Sequence, residues 1–123
     1  MSKLLGIDYG RSKVGLALAD SETKTAVPLE TVAFDDLLPR IWQLISSEEI
    51  TVVVVGWPLS MKGGETEQTR EVKIFVADLK LKTGVKVVTE DERLSTVQAE
   101  RLGKDDAVAA MYILQSYLDR HYG

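Results

Sequence analysis

Thr51-Val52-Val53-Val54-Val55 is an unbroken β-branched run that ends at Gly56-Trp57-Pro58. Strands this apolar on both sides are central ones, covered on both faces. The rest of the chain must therefore supply neighbouring strands and covering layers. Residues 3–9 read as a strand ending near Asp8, and a turn at Gly10-Arg11-Ser12-Lys13 leads to a second strand from Val14 to Ala19. A third covers about residues 25–33. Strand patterns joined by a short glycine-containing turn form an antiparallel hairpin. Leu37, Leu38, Ile41, Leu44 and Ile45 then recur at helical spacing, with Asp35 or Asp36 as cap and Pro39 in the first turn.

After the valine run, Ser60 to Gly64 is a flexible stretch. Val72, Phe75, Val76 and Leu79 mark a second helix, with Thr66 as its cap and Gly84 as its end. Val85 to Thr89 is a short strand. Ser95-Thr96-Val97-Gln98 has capping-box form and starts a third helix. The last helix begins near Asp105 or Asp106 and buries Ala107, Ala110, Met111, Leu114 and Leu118. The order is βββαβαβαα: a mixed five-stranded sheet with helices packed on it, an α/β fold. The strands at 4–8, 51–55 and 85–89 are the parallel set. With 123 residues and no internal linker or repeat, the whole chain, 1–123, reads as one domain.

Composition then narrows the chemistry. There is no cysteine, so disulfides, thiolate metal sites and cysteine nucleophiles are excluded. The single histidine, His121, leaves little room for Ser-His-Asp catalysis or multi-histidine metal sites. The apolar runs are strand-sized and the start lacks a signal-peptide layout, so no membrane span is expected and the cytoplasm is the default location. With 15 basic and 19 acidic residues the net charge is −4, which argues against broad electrostatic capture of nucleic acid.

In open α/β sheets, sites form at the carboxyl ends of the strands. The first strand delivers Asp8 there, the fifth delivers Glu90, Asp91 and Glu92, and the last helix returns Asp105 or Asp106 to the same edge. Carboxylates that converge repel one another unless a cation neutralises them. A hard divalent ion does so through oxygen ligands, and a pair of such ions about 4 Å apart suits phosphodiester hydrolysis. Each acid also has a plainer role: Asp8 as a turn residue, Asp105 or Asp106 as a helix cap, Glu90 to Arg93 as a solvated turn. It is the convergence that favours chemistry. Arg11, Lys13, Lys62, Arg93 and Lys104 are candidate phosphate contacts. Gly6, Gly10 and Gly15 match no dinucleotide fingerprint, and no phosphate-binding P-loop is present.

Gly6-Ile7-Asp8-Tyr9-Gly10 with Val14-Gly15-Leu16-Ala17 resembles the opening of YqgF/RuvX proteins. So do Val55 to Gly63, Asp91-Glu92-Arg93-Leu94-Ser95-Thr96, and Asp106-Ala107 leading to Ile113 through Leu118. The resemblance covers essentially the whole chain. It implies an RNase H-like fold related to RuvC-type resolvases and a nuclease dependent on Mg²⁺ or Mn²⁺. Asp8, Glu92 and Asp106 would be its catalytic and metal-binding residues. The implied substrate is pre-16S rRNA, cut during 5′-end maturation, with branched DNA as the alternative. The choice of Asp106 over Asp105 comes from this resemblance. One departure stands out: family members carry a longer loop where Glu100 to Asp105 closes the gap directly. Two other classes compete. A phosphotransferase of the actin and sugar-kinase type would need a second related domain, for which the chain is too short. A non-catalytic RNA-binding factor would leave three acids facing RNA unneutralised. Oligomeric state is not legible.

Overall fold

The computed structural model describes residues 2–57, 67–91 and 106–122. Five strands form one sheet: β1 (Lys3–Asp8), β2 (Lys13–Asp20), β3 (Val27–Ala33), β4 (Ile50–Trp57) and β5 (Lys86–Asp91). Their spatial order is β3-β2-β1-β4-β5. β1 pairs antiparallel with β2 and parallel with β4, and β4 pairs parallel with β5. This is the mixed sheet expected from the hairpin followed by alternating elements. Three α-helices lie among the described residues: α1 (Leu37–Glu48), α2 (Glu67–Thr83) and α3 (Asp106–His121). Thr66 and the helix expected from Ser95 lie outside the described residues.

The valine run explains the layering. Val53 and Val55 join the core under α1 and α2, with Leu5, Ile7, Val14 and Leu16 from β1 and β2. Val52 and Val54 point the opposite way and pack with Ala110, Ile113, Leu114 and Leu118 of α3. Strand alternation sends successive side chains to opposite faces. A β4 apolar at every position is therefore satisfied only between two helical layers. Each such side chain contributes about 1.5–3 kcal/mol on full burial.

Local signals set the helix ends. Gly84 takes φ +68, a left-handed conformation open to glycine, and its N–H donates to Lys80 O at 3.0 Å, closing α2. A 3₁₀ turn, Phe34–Asp36, precedes α1. Asp36 occupies the N-cap position but makes no capping hydrogen bond with its side chain. The expected aspartate cap is therefore positional only. The 3₁₀ turn leads into α1 instead, its own C-cap N–H donating back to Phe34 O. Two ion pairs tie helices to the sheet edge and hairpin. Arg40 of α1 forks onto Glu30 of β3 at 2.7 and 3.0 Å. Arg11, in the β1–β2 turn, forks onto Glu71 of α2 at 2.7 and 3.1 Å.

Candidate functional site

Asp8 is the last residue of β1, at the carboxyl edge of the parallel strands. Along β1, Leu4 belongs to the core on the α3 side and Gly6 faces Leu114 and Ala110 of α3. Alternation places Asp8 on that same face. Its cross-strand partner on β2 is Gly15. A Cβ built at Gly15 would collide with the carbonyl of Asp106 and lie 2.8 Å from Ala107 N. Only a residue without a side chain lets the first turn of α3 sit down on β2 at this point. Glycine at position 15 thus brings the backbone of Asp106 against the strand beside Asp8. The two residues come from distant parts of the chain, and the close seat of Asp106 on Gly15 makes their backbones near neighbours at one sheet edge. Asp106 also lies in the first turn of α3, where the helix dipole favours a negative charge.

The fifth strand divides its acids. Glu90 is in register with Gly56 and is 3% exposed, on the α3 face with Val88. Its Oε2 lies 3.4 Å from Arg120 Nε. Glu90 is therefore a carboxylate buried under α3, and among the described residues it belongs to no group of three potential metal ligands. Glu92 follows Asp91, the last residue of β5, and lies outside the described residues, as do Lys62, Arg93 and Lys104. Among the described residues, no three His, Cys, Asp or Glu side chains group closely enough to hold a metal ion. Asp8 and Asp106 are hard oxygen donors of the kind Mg²⁺ or Mn²⁺ takes, and one or two carboxylates with water and substrate phosphate commonly suffice for Mg²⁺.

The candidate phosphate contacts separate as well. Lys13 opens β2 and is exposed. Arg11 is engaged: Glu71 holds its guanidinium above the ordinary range through the forked hydrogen bond and then through charge. That fork uses Nε and Nη2, so a phosphate would compete with the carboxylate for these donors or take those on Nη1. Tyr9, directly after Asp8, packs edge-on to Phe34 at 5.8 Å and against Phe75 at 5.1 Å. Burial, and then Glu71, raise its phenol above the usual value. Ion pair and aromatic cluster together fix the turn that follows Asp8. Sequence reasoning missed Gly15 and Glu71. The signal for Gly15 was its register with Asp8 across the hairpin; Glu71 is 60 positions from its partner and carried none.

This architecture is the RNase H-like fold of the RuvC-type resolvases. Thermus thermophilus RuvC, solved in complex with a Holliday junction substrate, superposes with a TM-score of 0.66 at 13% identity, covering 100% of this chain and 97% of that one. Fowlpox virus resolvase, solved with Holliday junction DNA, gives 0.58 at 12% identity over 96% and 97%.

Residues 2–120 match the family described as RuvX, Holliday junction resolvase, and the chain belongs to that family. A Shewanella oneidensis relative is 38% identical over 98% of this chain and 96% of its own length. An Anaeromyxobacter relative is 42% identical over 97% and 98%. Both bear names that provisionally assign them a pre-16S rRNA nuclease activity. Each alignment spans 135 positions, more than the 123 residues of this chain, so these relatives carry residues that this one lacks.

Proposed function

We propose that this protein is a metal-dependent nuclease that hydrolyses phosphodiester bonds in the 5′ leader of pre-16S rRNA, in the cytoplasm. The observation that carries the reading is the seat of the Asp106 backbone on Gly15, the cross-strand partner of Asp8, at the carboxyl edge of the sheet. Family membership and the relatives' names support the reaction class. Asp8 and Asp106 would hold Mg²⁺ or Mn²⁺ together with Glu92. The bound ion would supply Lewis-acid stabilisation of the phosphoryl oxygens and an activated water. The chain's own residues do the rest. The β1–β2 turn, pinned by Arg11 and Glu71, fixes Asp8, and the close seat of α3 fixes Asp106. Arg11, Lys13, Lys62, Arg93 and Lys104 are the basic groups proposed for substrate phosphates. The length missing relative to the family fits a shortened connection at residues 100–105, which would narrow the surface offered to substrate.

The family description favours a second reading, resolution of four-way DNA junctions. Cutting two strands symmetrically would normally require a two-fold dimer. Labelled pre-16S leader RNA and a four-way DNA junction are incubated with the protein in Mn²⁺, beside Asp8→Asn. Cleavage of the RNA, lost in the variant while its circular dichroism is unchanged, is the expected result. Cleavage of the junction alone would replace the rRNA reading with the resolvase. No cleavage of either substrate by a folded, metal-loaded protein would overturn both.

A further inference from the structure

Among the described residues, β5 is an edge strand, paired on one side only, with β4. Beside it runs an open cleft of about 470 Å³ lined by Val76, Lys80, Lys86, Thr89, Tyr117 and His121, among others. Its basic and aromatic groups come from three elements: Lys80 from the last turn of α2, Lys86 from β5 itself and the His121 ring from the end of α3. α2 and α3 lie on opposite faces of the sheet, so the cleft wraps around the strand edge. None of its lining residues is acidic. Three other clefts among the described residues each include two carboxylates: Asp20 and Glu48, Asp35 and Asp78, Glu30 and Asp36. In a chain of net charge −4, a cleft free of acids is a selective feature.

Of the neighbouring acids, Asp78 pairs with Lys82 at 3.0 Å. Glu90 is buried beneath the cleft wall, faces Arg120 at 3.4 Å and adds to burial in raising the Tyr117 phenol above its usual value. A lysine on an edge strand also discourages strand-to-strand aggregation. That role needs Lys86 alone; it does not call for a second lysine and a histidine from helices on both faces. The rings of Tyr117 and His121 lie 4.3 Å apart at 30°, with His121 exposed. An exposed ring backed by a buried one gives a flat surface beside the cations. This pairing of cationic groove and aromatic face is how proteins hold single-stranded nucleic acid.

We propose that the β5-edge cleft binds the single-stranded portion of the RNA substrate, with Lys80 and Lys86 on backbone phosphates and the His121 ring against a base. The assignment rests on the nuclease reading and extends it. β5 rises about 3.3 Å per residue, so from Lys86 to Asp91 it spans roughly 17 Å. It ends one residue before Glu92. A strand lying along this edge is thus led towards the acidic end of the sheet.

The test is fluorescence anisotropy with a labelled, unstructured 12-nucleotide RNA in EDTA, over a range of salt concentrations. The double variant Lys80→Ala/Lys86→Ala is expected to bind about tenfold more weakly. Its slope of log affinity against log salt should fall by about 1.4, from two lost phosphate contacts at about 0.7 each on a single strand. Lys82→Ala, whose lysine is paired with Asp78 and does not line the cleft, should stay within twofold of the parent. Unchanged affinity in the double variant overturns the proposal, as does an equal loss in Lys82→Ala or no binding by the parent protein. The nuclease reading is judged separately, by cleavage in Mn²⁺. RNA binding that is lost in the double variant, without any cleavage by the parent, keeps the cleft and removes the nuclease. Cleavage by the parent with undiminished binding in the double variant does the reverse.

Discussion

Gly15 shows how one missing side chain can organise a site. Its neighbours at the would-be Cβ position are backbone atoms, the carbonyl of Asp106 and the N–H of Ala107. Backbone at a helix start cannot swing aside as the end of a lysine would. Gly15→Ala must therefore push the first turn of α3 off the sheet. The cost expected for such overpacking is about 1–3 kcal/mol. Because Asp106 rides on that turn, activity should fall much further than stability, by about 100-fold for a displacement near 1 Å. Thermal melting and cleavage rate measured on one preparation separate the two effects. Full activity in a folded Gly15→Ala protein would mean that Asp106 need not sit against β2. Gly6 keeps the same helix close further along, where a Cβ would lie 2.8 Å from that of Leu114.

Among elements, one carboxylate gathers two backbone N–H groups of the β2–β3 turn. Asp20 Oδ1 accepts from the N–H of Thr23 at 2.7 Å and of Glu22 at 2.9 Å, and the Thr23 N–H is the main cause of its lowered pKa. A lowered folded-state pKa gives stability that is present above the unfolded value, about 3.9, and is lost as pH falls through the folded one. Asp20→Ala should therefore melt below the parent at pH 7, and the gap should narrow as pH drops from about 4 towards 2. A gap constant across that range would show that the carboxylate charge is not what holds the turn. Elements were the scale most legible in the sequence. The valine run, the strand ending at Asp8, the hairpin and the apolar spacing of α1, α2 and α3 each announce themselves within a few residues. The pairs that shape the site do not. Arg11 and Glu71 are 60 positions apart, Glu90 and Arg120 thirty, and no local period records which side chain will meet which. Glu90 looked like one more acid in a charged turn, and burial under α3 gave it another role. Asp106 could not be told from Asp105 by helix signals alone; the family motif made the choice.

For the whole molecule, the proposed acids set stability against function. Asp8 and Asp106 belong to segments nearly a hundred residues apart, brought together by sheet and helix packing. With Glu92 they would hold like charges close, a repulsion that folding must offset and that a divalent cation removes. Melting in EDTA and in Mn²⁺ should expose this. The parent protein should gain stability with Mn²⁺ by linkage, about 2.7 kcal/mol at a metal concentration 100 times Kd. For a domain of this length that is a rise of roughly 10 °C. Asp8→Asn should lose most of the rise and, in EDTA, should melt at or above the parent, because one repelling charge is gone. Asp106→Asn and Glu92→Gln should behave alike if the three acids share one ion. An equal Mn²⁺ rise in the parent and all three variants would place the cation elsewhere and detach these carboxylates from metal binding. A rise lost in Asp8→Asn and Asp106→Asn but kept in Glu92→Gln would remove Glu92 from the ligand set and call for a third donor from another part of the chain.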